Sequence, residues 1–195
     1  QYIAQRILDE LQFEPTNGQR EMAERAAAFL TSTQPQVVFL LRGYAGTGKT
    51  TALSALVKVL EQLQMKAVLL APTGRAAKVL SRYTGKTATT IHKKIYRQQS
   101  VSSGNGRFAL DRNLHKNTIF IIDEASMISN LPQENNAFGS GYLLSDVIEY
   151  VQSGENCRLI LSGDTAQLPP VGFSLSPALT LEELQFFDLE VIDCE

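Results

Sequence analysis

The chain has 195 residues, 44% hydrophobic and 19% charged, which is the size and balance of one soluble globular domain with room for a full core. No apolar run approaches the ~18 residues of a membrane span. Cys157 and Cys194 lack zinc-type spacing, so they are expected to be reduced thiols in a cytoplasmic setting, with no membrane partner. The net charge of −2 hides a segregation. Gln62 to Leu110 holds nine Lys and Arg and no Asp or Glu, while the rest of the chain carries nine basic against twenty acidic residues. A carboxylate-free stretch of that length is expected where one face meets a polyanion and the remainder keeps the protein in solution.

In chain order, Gln1 to Phe13 places Ile3, Ile7, Leu8 and Leu11 at helical spacing, and Pro15 is expected to break that helix. A second helix is predicted from Thr16 to Leu30, with Met22, Ala26 and Phe29 inward. Thr16 and Gln19 fit a capping box. The Gln19 amide would equally suit an adenine edge, since it offers both a donor and an acceptor. Both roles stay open.

Val37 to Leu41 reads as a buried strand, and Thr51 to Leu63 as a helix with Leu53, Leu56, Val57 and Leu60 on one face. Between them, Gly43-Tyr44-Ala45-Gly46-Thr47-Gly48-Lys49-Thr50 fits the G-x-x-x-x-G-K-[ST] phosphate loop at every fixed position. Gly46 and Gly48 let the backbone wrap around phosphate oxygens. The helix end presents N–H groups to an anion. Lys49 is expected on the β- and γ-phosphates and the Thr50 hydroxyl on Mg²⁺.

Lys66 to Ala71 is the next predicted strand. Pro72 to Arg75 turns the chain, Ala76 to Tyr83 is helical, and Thr89 to Lys94 opens a short helix. Ser102 to Gly106 is rich in turn residues, and Asn105-Gly106 signals a hairpin with Arg107 to Leu110 returning. Residues 94–117 are therefore expected to form a small insertion outside the main sheet. Thr118 to Ile122 is an apolar strand ending in Asp123-Glu124, where ligands bind in open α/β sheets. Asp123 suits Mg²⁺ and Glu124 suits the attacking water. Leu131 to Gly141 is expected to be a mobile loop and Leu143 to Gln152 a helix. Arg158 to Ser162 is a further strand, followed by a polar loop in which Gln167 is placed to meet the γ-phosphate or the water. Strands alternating with helices predict an α/β fold with a mostly parallel sheet covered on both faces.

These blocks, in this order, resemble the first RecA-like domain of a superfamily 1 DNA helicase of the RecD/Dda-like group (exodeoxyribonuclease V alpha-like). Phe13 to Gln19 resembles the adenine-reading Q motif and Gly43 to Thr51 motif I. Ala71-Pro72-Thr73-Gly74-Arg75-Ala76-Ala77 resembles motif Ia, Thr89-Thr90-Ile91-His92 motif Ib, Ile121 to Met127 motif II, and Leu161 to Val171 motif III. The resemblance covers nearly the whole chain. It implies a RecA-like P-loop NTPase fold with ATP and Mg²⁺ as cofactors. Nucleotide would be held by Gln19, Gly43, Ala45, Gly46, Thr47, Gly48, Lys49, Thr50 and Thr51, with Thr50 and Asp123 on the metal. Lys49, Asp123, Glu124 and Gln167 would carry catalysis. Pro72, Thr73, Arg75, Lys78, Thr90, His92 and Lys93 would lie on the DNA side, and the insertion before motif II would be the pin that splits a duplex.

The same resemblance implies 5′-to-3′ movement on single-stranded DNA, a role in DNA repair and recombination, and nuclease or repair-complex partners. Such helicases carry motifs IV to VI and an essential arginine on a second RecA-like domain, and none of these occurs before Glu195. Residues 1–195 are therefore expected to be the N-terminal RecA-like domain, able to bind nucleotide but poor at hydrolysing it alone. Two other readings stay open: an ATPase of the same superfamily acting on RNA, and an interaction module that binds nucleotide without turnover.

Overall fold

The structure is a computed structural model that describes residues 1–44, 46–99, 106–132 and 137–195. Helix α1 spans Tyr2–Asp9 and α2 Asn17–Thr31. Strand β1 (Val37–Arg42) leads through the phosphate loop into α3 (Lys49–Gln62), then β2 (Lys66–Ala71), α4 (Gly74–Thr84) and β3 (Ala88–Thr90). A short α5 (Ile91–Ile95) precedes β4 (Tyr96–Gln98) and β5 (Phe108–Leu110). Strand β6 (Thr118–Ile122), α6 (Leu143–Gln152), β7 (Arg158–Gly163), α7 (Leu181–Gln185) and β8 (Glu190–Cys194) complete the order.

Six strands form one sheet in the order β3-β2-β6-β7-β1-β8, and every neighbouring pair is parallel. The chain first steps outward from β1 to β2 and β3. It later returns to fill the gap between β2 and β1 with β6 and β7, which puts β7 beside β1 and β6 beside β2. Apolar residues alternate between the faces, as the period of two in a strand requires. Phe39 and Leu41 pack with α1 to α4, while Val38 and Leu40 pack with α5 to α7. The sheet is thus buried on both sides, which explains the continuous apolar runs of β1, β6 and β7. Among the described residues, no helix is long and apolar enough to cross a membrane.

Several elements differ from expectation. The first helix ends at Asp9, before Pro15, in a turn closed by Leu11 N–H donating to Leu8 O at 3.1 Å. Residues 88–90 join the main sheet as β3. Strand β8 is absent from the sequence expectation, because Glu190 and Asp193 within it and Glu195 after it mask its apolar residues. Arg42 compensates that charge, with Nε and Nη2 donating to the two Asp193 oxygens at 2.9 and 2.5 Å. Strands β4 and β5 pair with each other, antiparallel, apart from the main sheet. The Ser102–Asn105 part of the expected turn lies outside the described residues. In the expected mobile loop, 133–136 also lie outside them. The returning residues are tied: Phe108 N–H donates to Ala137 O and Gly139 N–H to Phe108 O, both at 2.7 Å.

Candidate nucleotide and nucleic-acid site

Because β6, β7 and β1 are parallel neighbours, their carboxyl ends lie side by side at about 4.8 Å spacing. The three loops that leave them face one cavity of about 380 Å³. It is lined by Gly46, Gly48, Lys49 and Thr50 after β1, by Asp123 and Glu124 after β6, and by Gly163, Asp164 and Gln167 after β7.

The loop after β1 is shaped by glycine. Gly46 and Gly48 have φ of 83° and 87°, and Gly48 caps α3 without a side-chain bond, so the first N–H groups of α3 are left for an anion. A Cβ on Gly48 would stand 2.9 Å from Gln19 Nε2. Lys49 Nζ donates to the carbonyls of Gly43 and Tyr44, both at 2.6 Å, which keeps the ammonium folded over the loop. Ala45 lies outside the described residues, and Thr47 donates its hydroxyl to Tyr44 O at 2.8 Å.

Gln19 serves the capping box completely. Its N–H donates to Thr16 Oγ1 at 3.3 Å, and its Oε1 accepts from Thr16 N–H at 3.0 Å. Buried at 5% exposure, it turns Nε2 toward the phosphate loop. A second cavity, of about 390 Å³, lies there, lined by Gln19, Met22, Tyr44, Lys49 and Glu195 among others. The amide oxygen is thus spent on the cap, and the NH₂ faces the cavity.

Just after β6, Asp123 N–H donates to Leu70 O at 3.1 Å, and Asp123 Oδ2 accepts from Tyr83 Oη at 2.6 Å. Burial, with the negative charge of Asp123 second and Glu124 minor, pushes the Tyr83 phenol far up, so it stays a proton donor. Glu124 sits in the left-handed region at φ 56°, ψ 35°. That conformation costs a non-glycine residue about 1–3 kcal/mol and is characteristic of functional sites. The turn that follows buries Ser126, whose hydroxyl donates to Gln167 Oε1 at 2.9 Å. The Gln167 carbonyl is thus occupied and its NH₂ remains to donate. Asp164 shapes the same loop, with Oδ1 accepting from Ala166 N–H at 2.8 Å.

The basic stretch lies along the edge formed by α4, β3 and α5. Pro72, Thr73 and His92 line a cavity of about 180 Å³ with Tyr96, Met127 and Phe138. The hydroxyls of Thr73 and Thr90 are helix caps, accepting from Ala76 N–H at 3.1 Å and Lys93 N–H at 3.3 Å. His92 is half-buried, with ring centroids of Tyr96 and Phe138 at 5.5 and 5.1 Å. Burial lowers its pKa, so at neutral pH it is a neutral ring rather than a cation. Arg75, Lys78 and Lys93 are exposed, and Arg75 and Lys78 share a helix face at i, i+3. Lys78, Thr90 and Lys93 do not reach the cavity.

Residues 14–178 match the AAA domain family. The chain belongs to this family. It is a RecA-like domain of the RecD/Dda-like superfamily 1 helicases. It is 32% identical over 172 residues to the ATP-dependent RecD2 DNA helicase of Deinococcus radiodurans, covering 87% of this chain and 21% of that protein. It is 32% identical over 134 residues to the ATP-dependent DNA helicase dda of Enterobacteria phage T4, covering 67% and 28%. The fold is similar to the crystal structure of Pif1 helicase from Candida albicans, with a TM-score of 0.53 at 18% identity over 94% of this chain and 40% of that one. The chain thus spans about a fifth to two fifths of these relatives.

The donor set of this AAA-family domain fits Mg²⁺. Thr50 and Asp123 offer hard oxygens, and Mg²⁺ asks for one or two carboxylates while keeping waters and phosphate oxygens. Among the described residues, no group of three or more His, Cys, Asp or Glu would hold a metal by itself. Among the described residues, no arginine lines the cavity at the ends of β1, β6 and β7. Arg42 is paired with Asp193, and Arg158 caps α2, donating to Phe29 O and Ser32 O, both at 2.6 Å. Sequence reasoning missed Tyr83, Ser126 and Asp164. Asp164 stood in a polar loop already aimed at the site, whereas Tyr83 gave no signal, because its contact joins residues 40 positions apart.

Proposed function

We propose that this chain is the N-terminal, ATP-binding motor domain of a cytoplasmic ATP-dependent DNA helicase, moving 5′ to 3′ on single-stranded DNA in repair or recombination. The observation that carries this reading is the cavity in which Lys49, Thr50, Asp123, Glu124 and Gln167 meet from three neighbouring strands. The DNA helicases among its relatives support the substrate class. Two buried free cysteines accord with a reducing compartment.

In this reading Lys49 leaves the loop carbonyls for the β- and γ-phosphates, and Gln19 Nε2 donates to the adenine. Bound Mg²⁺, held by Thr50 and Asp123, would neutralise charge on the phosphate oxygens. Glu124 takes a proton from water as its oxygen bonds to the γ-phosphorus and the bond to the bridging oxygen of ADP breaks. Gln167 donates to the γ-phosphate. A second RecA-like domain in cis supplies the arginine, a contribution of about 10³–10⁵ in rate. Arg75, Lys78 and Lys93 meet DNA phosphates, and residues 94–117 act as the pin. Nuclease or repair-complex subunits are the partners this reading entails.

The test is phosphate release by residues 1–195 and by a protein extended with a second RecA-like domain, each with DNA or RNA oligonucleotides. The expected result is slow turnover by the chain alone and fast, DNA-dependent turnover by the longer protein, with Glu124→Gln removing the gain. Equal stimulation by RNA would favour an RNA-acting ATPase. Brisk DNA-stimulated turnover by the chain alone would contradict the need for an arginine in cis.

A further inference from the structure

Helix α4 joins the two regions described above. Pro72 and Thr73, at its start, line the cavity on the basic edge, and Arg75 is exposed on its first turn. Tyr83 lies in its last turn, about 13 Å along the axis from Gly74 at 1.5 Å per residue. There the helix is fastened twice. The Tyr83 carbonyl accepts from Ser54 Oγ at 2.9 Å, and Ser54 stands one turn after Thr50 on α3. The Tyr83 hydroxyl donates to Asp123 Oδ2 at 2.6 Å, the length of a charge-assisted bond. A phenol has one proton to give. It therefore fixes one oxygen of the carboxylate and leaves the other for a cation or a water on that cation.

We propose that Tyr83 is a positioning residue that couples nucleic-acid binding at the start of α4 to divalent-cation binding at Asp123. The inference rests on the reading of Asp123 as the cation carboxylate. A packed helix shifts as a unit, so phosphate contacts that draw on Arg75 move Tyr83 too, and its hydroxyl carries the carboxylate with it. Without the hydroxyl the carboxylate loses its orientation and α4 loses its hold on the cation site. Coupling of this kind is reciprocal: the cation must change affinity for the nucleic acid by the same factor.

The experiment compares wild type, Tyr83→Phe and Asp123→Ala. Affinity for a non-hydrolysable ATP analogue is measured by calorimetry with saturating Mn²⁺ and with chelator, with and without oligothymidylate. The ratio of the two affinities reads the contribution of the cation. Tyr83→Phe is expected to lower that ratio roughly tenfold, as loss of a group that orients a metal ligand does. It should leave the metal-free affinity unchanged, while loss of the bond to the carboxylate lowers the melting temperature by a few degrees. Oligothymidylate should alter the ratio in wild type and not in Tyr83→Phe. A ratio in Tyr83→Phe equal to that of wild type, or a wild-type ratio indifferent to oligothymidylate, would overturn the proposal. Asp123→Ala separates the two levels: an unchanged ratio there would remove the cation assignment itself, whereas its loss beside a normal Tyr83→Phe would remove only the role of Tyr83.

Discussion

Burial places His92 and His115 where protonation works against the fold. Desolvation lowers both, and Lys94 and Lys66 add to the effect at His115. The unfolded chain binds these protons first, at pH values near 6.5, so the folded state loses stability as pH falls through and below that value. The melting temperature is expected to drop between pH 7 and pH 5.5, and His92→Asn with His115→Gln should shrink the drop. A melting temperature flat over that range would contradict the burial argument. The site residues differ in how far they could be read from sequence. Lys49, Thr50, Asp123 and Glu124 are local to strand ends and carry a recognisable spacing. Tyr83 depends on a contact across the fold, and spacing along the chain does not reveal it. Nor does sequence reveal that Thr73 and Thr90 spend their hydroxyls on helix caps.

The first turn of helix α2 is held by the Thr16–Gln19 capping box, and the proposed function adds nucleotide binding at the same glutamine. Thr16→Ala removes the cap from Gln19 N–H and should cost about 1 kcal/mol, a fall of roughly 2–4 °C in melting temperature for a chain of this size. It should not change discrimination between ATP and GTP. Gln19→Ala should cost similar stability and also erase the preference for adenine, because Nε2 is lost from the cavity beside the loop. Nucleotide competition alongside thermal melts would separate the two. If both variants lose stability and neither loses selectivity, Gln19 is only a cap. The long, strongly periodic elements α2, α3, β1, β6 and β7 were legible because burial on one or two faces writes a pattern into the residues. Strand β3 was hidden by its three-residue length. Strand β8 was hidden because its charge is answered by Arg42, 151 positions away.

Across the molecule, the fold places Arg75, Lys78, Arg82, Lys93 and Lys94 of the carboxylate-free stretch on α4 and α5, while β6 onward keeps the acidic excess. Binding to single strands should therefore be weak and salt-sensitive, with log K falling by about 0.7 per phosphate neutralised for each decade of salt. Lys78→Ala and Lys93→Ala should each flatten that slope, and unchanged slopes would move the interface elsewhere. The parallel sheet itself makes the proposed nucleotide site, by setting three loops at the ends of neighbouring strands. The most direct test of that claim is calorimetry of Mg²⁺-ATP binding to wild type and Lys49→Ala. Loss of one charged contact of about 1.5–3 kcal/mol predicts roughly ten- to hundredfold weaker binding in the variant. Equal affinity in the two proteins would contradict the assignment of the phosphate loop and the site built around it.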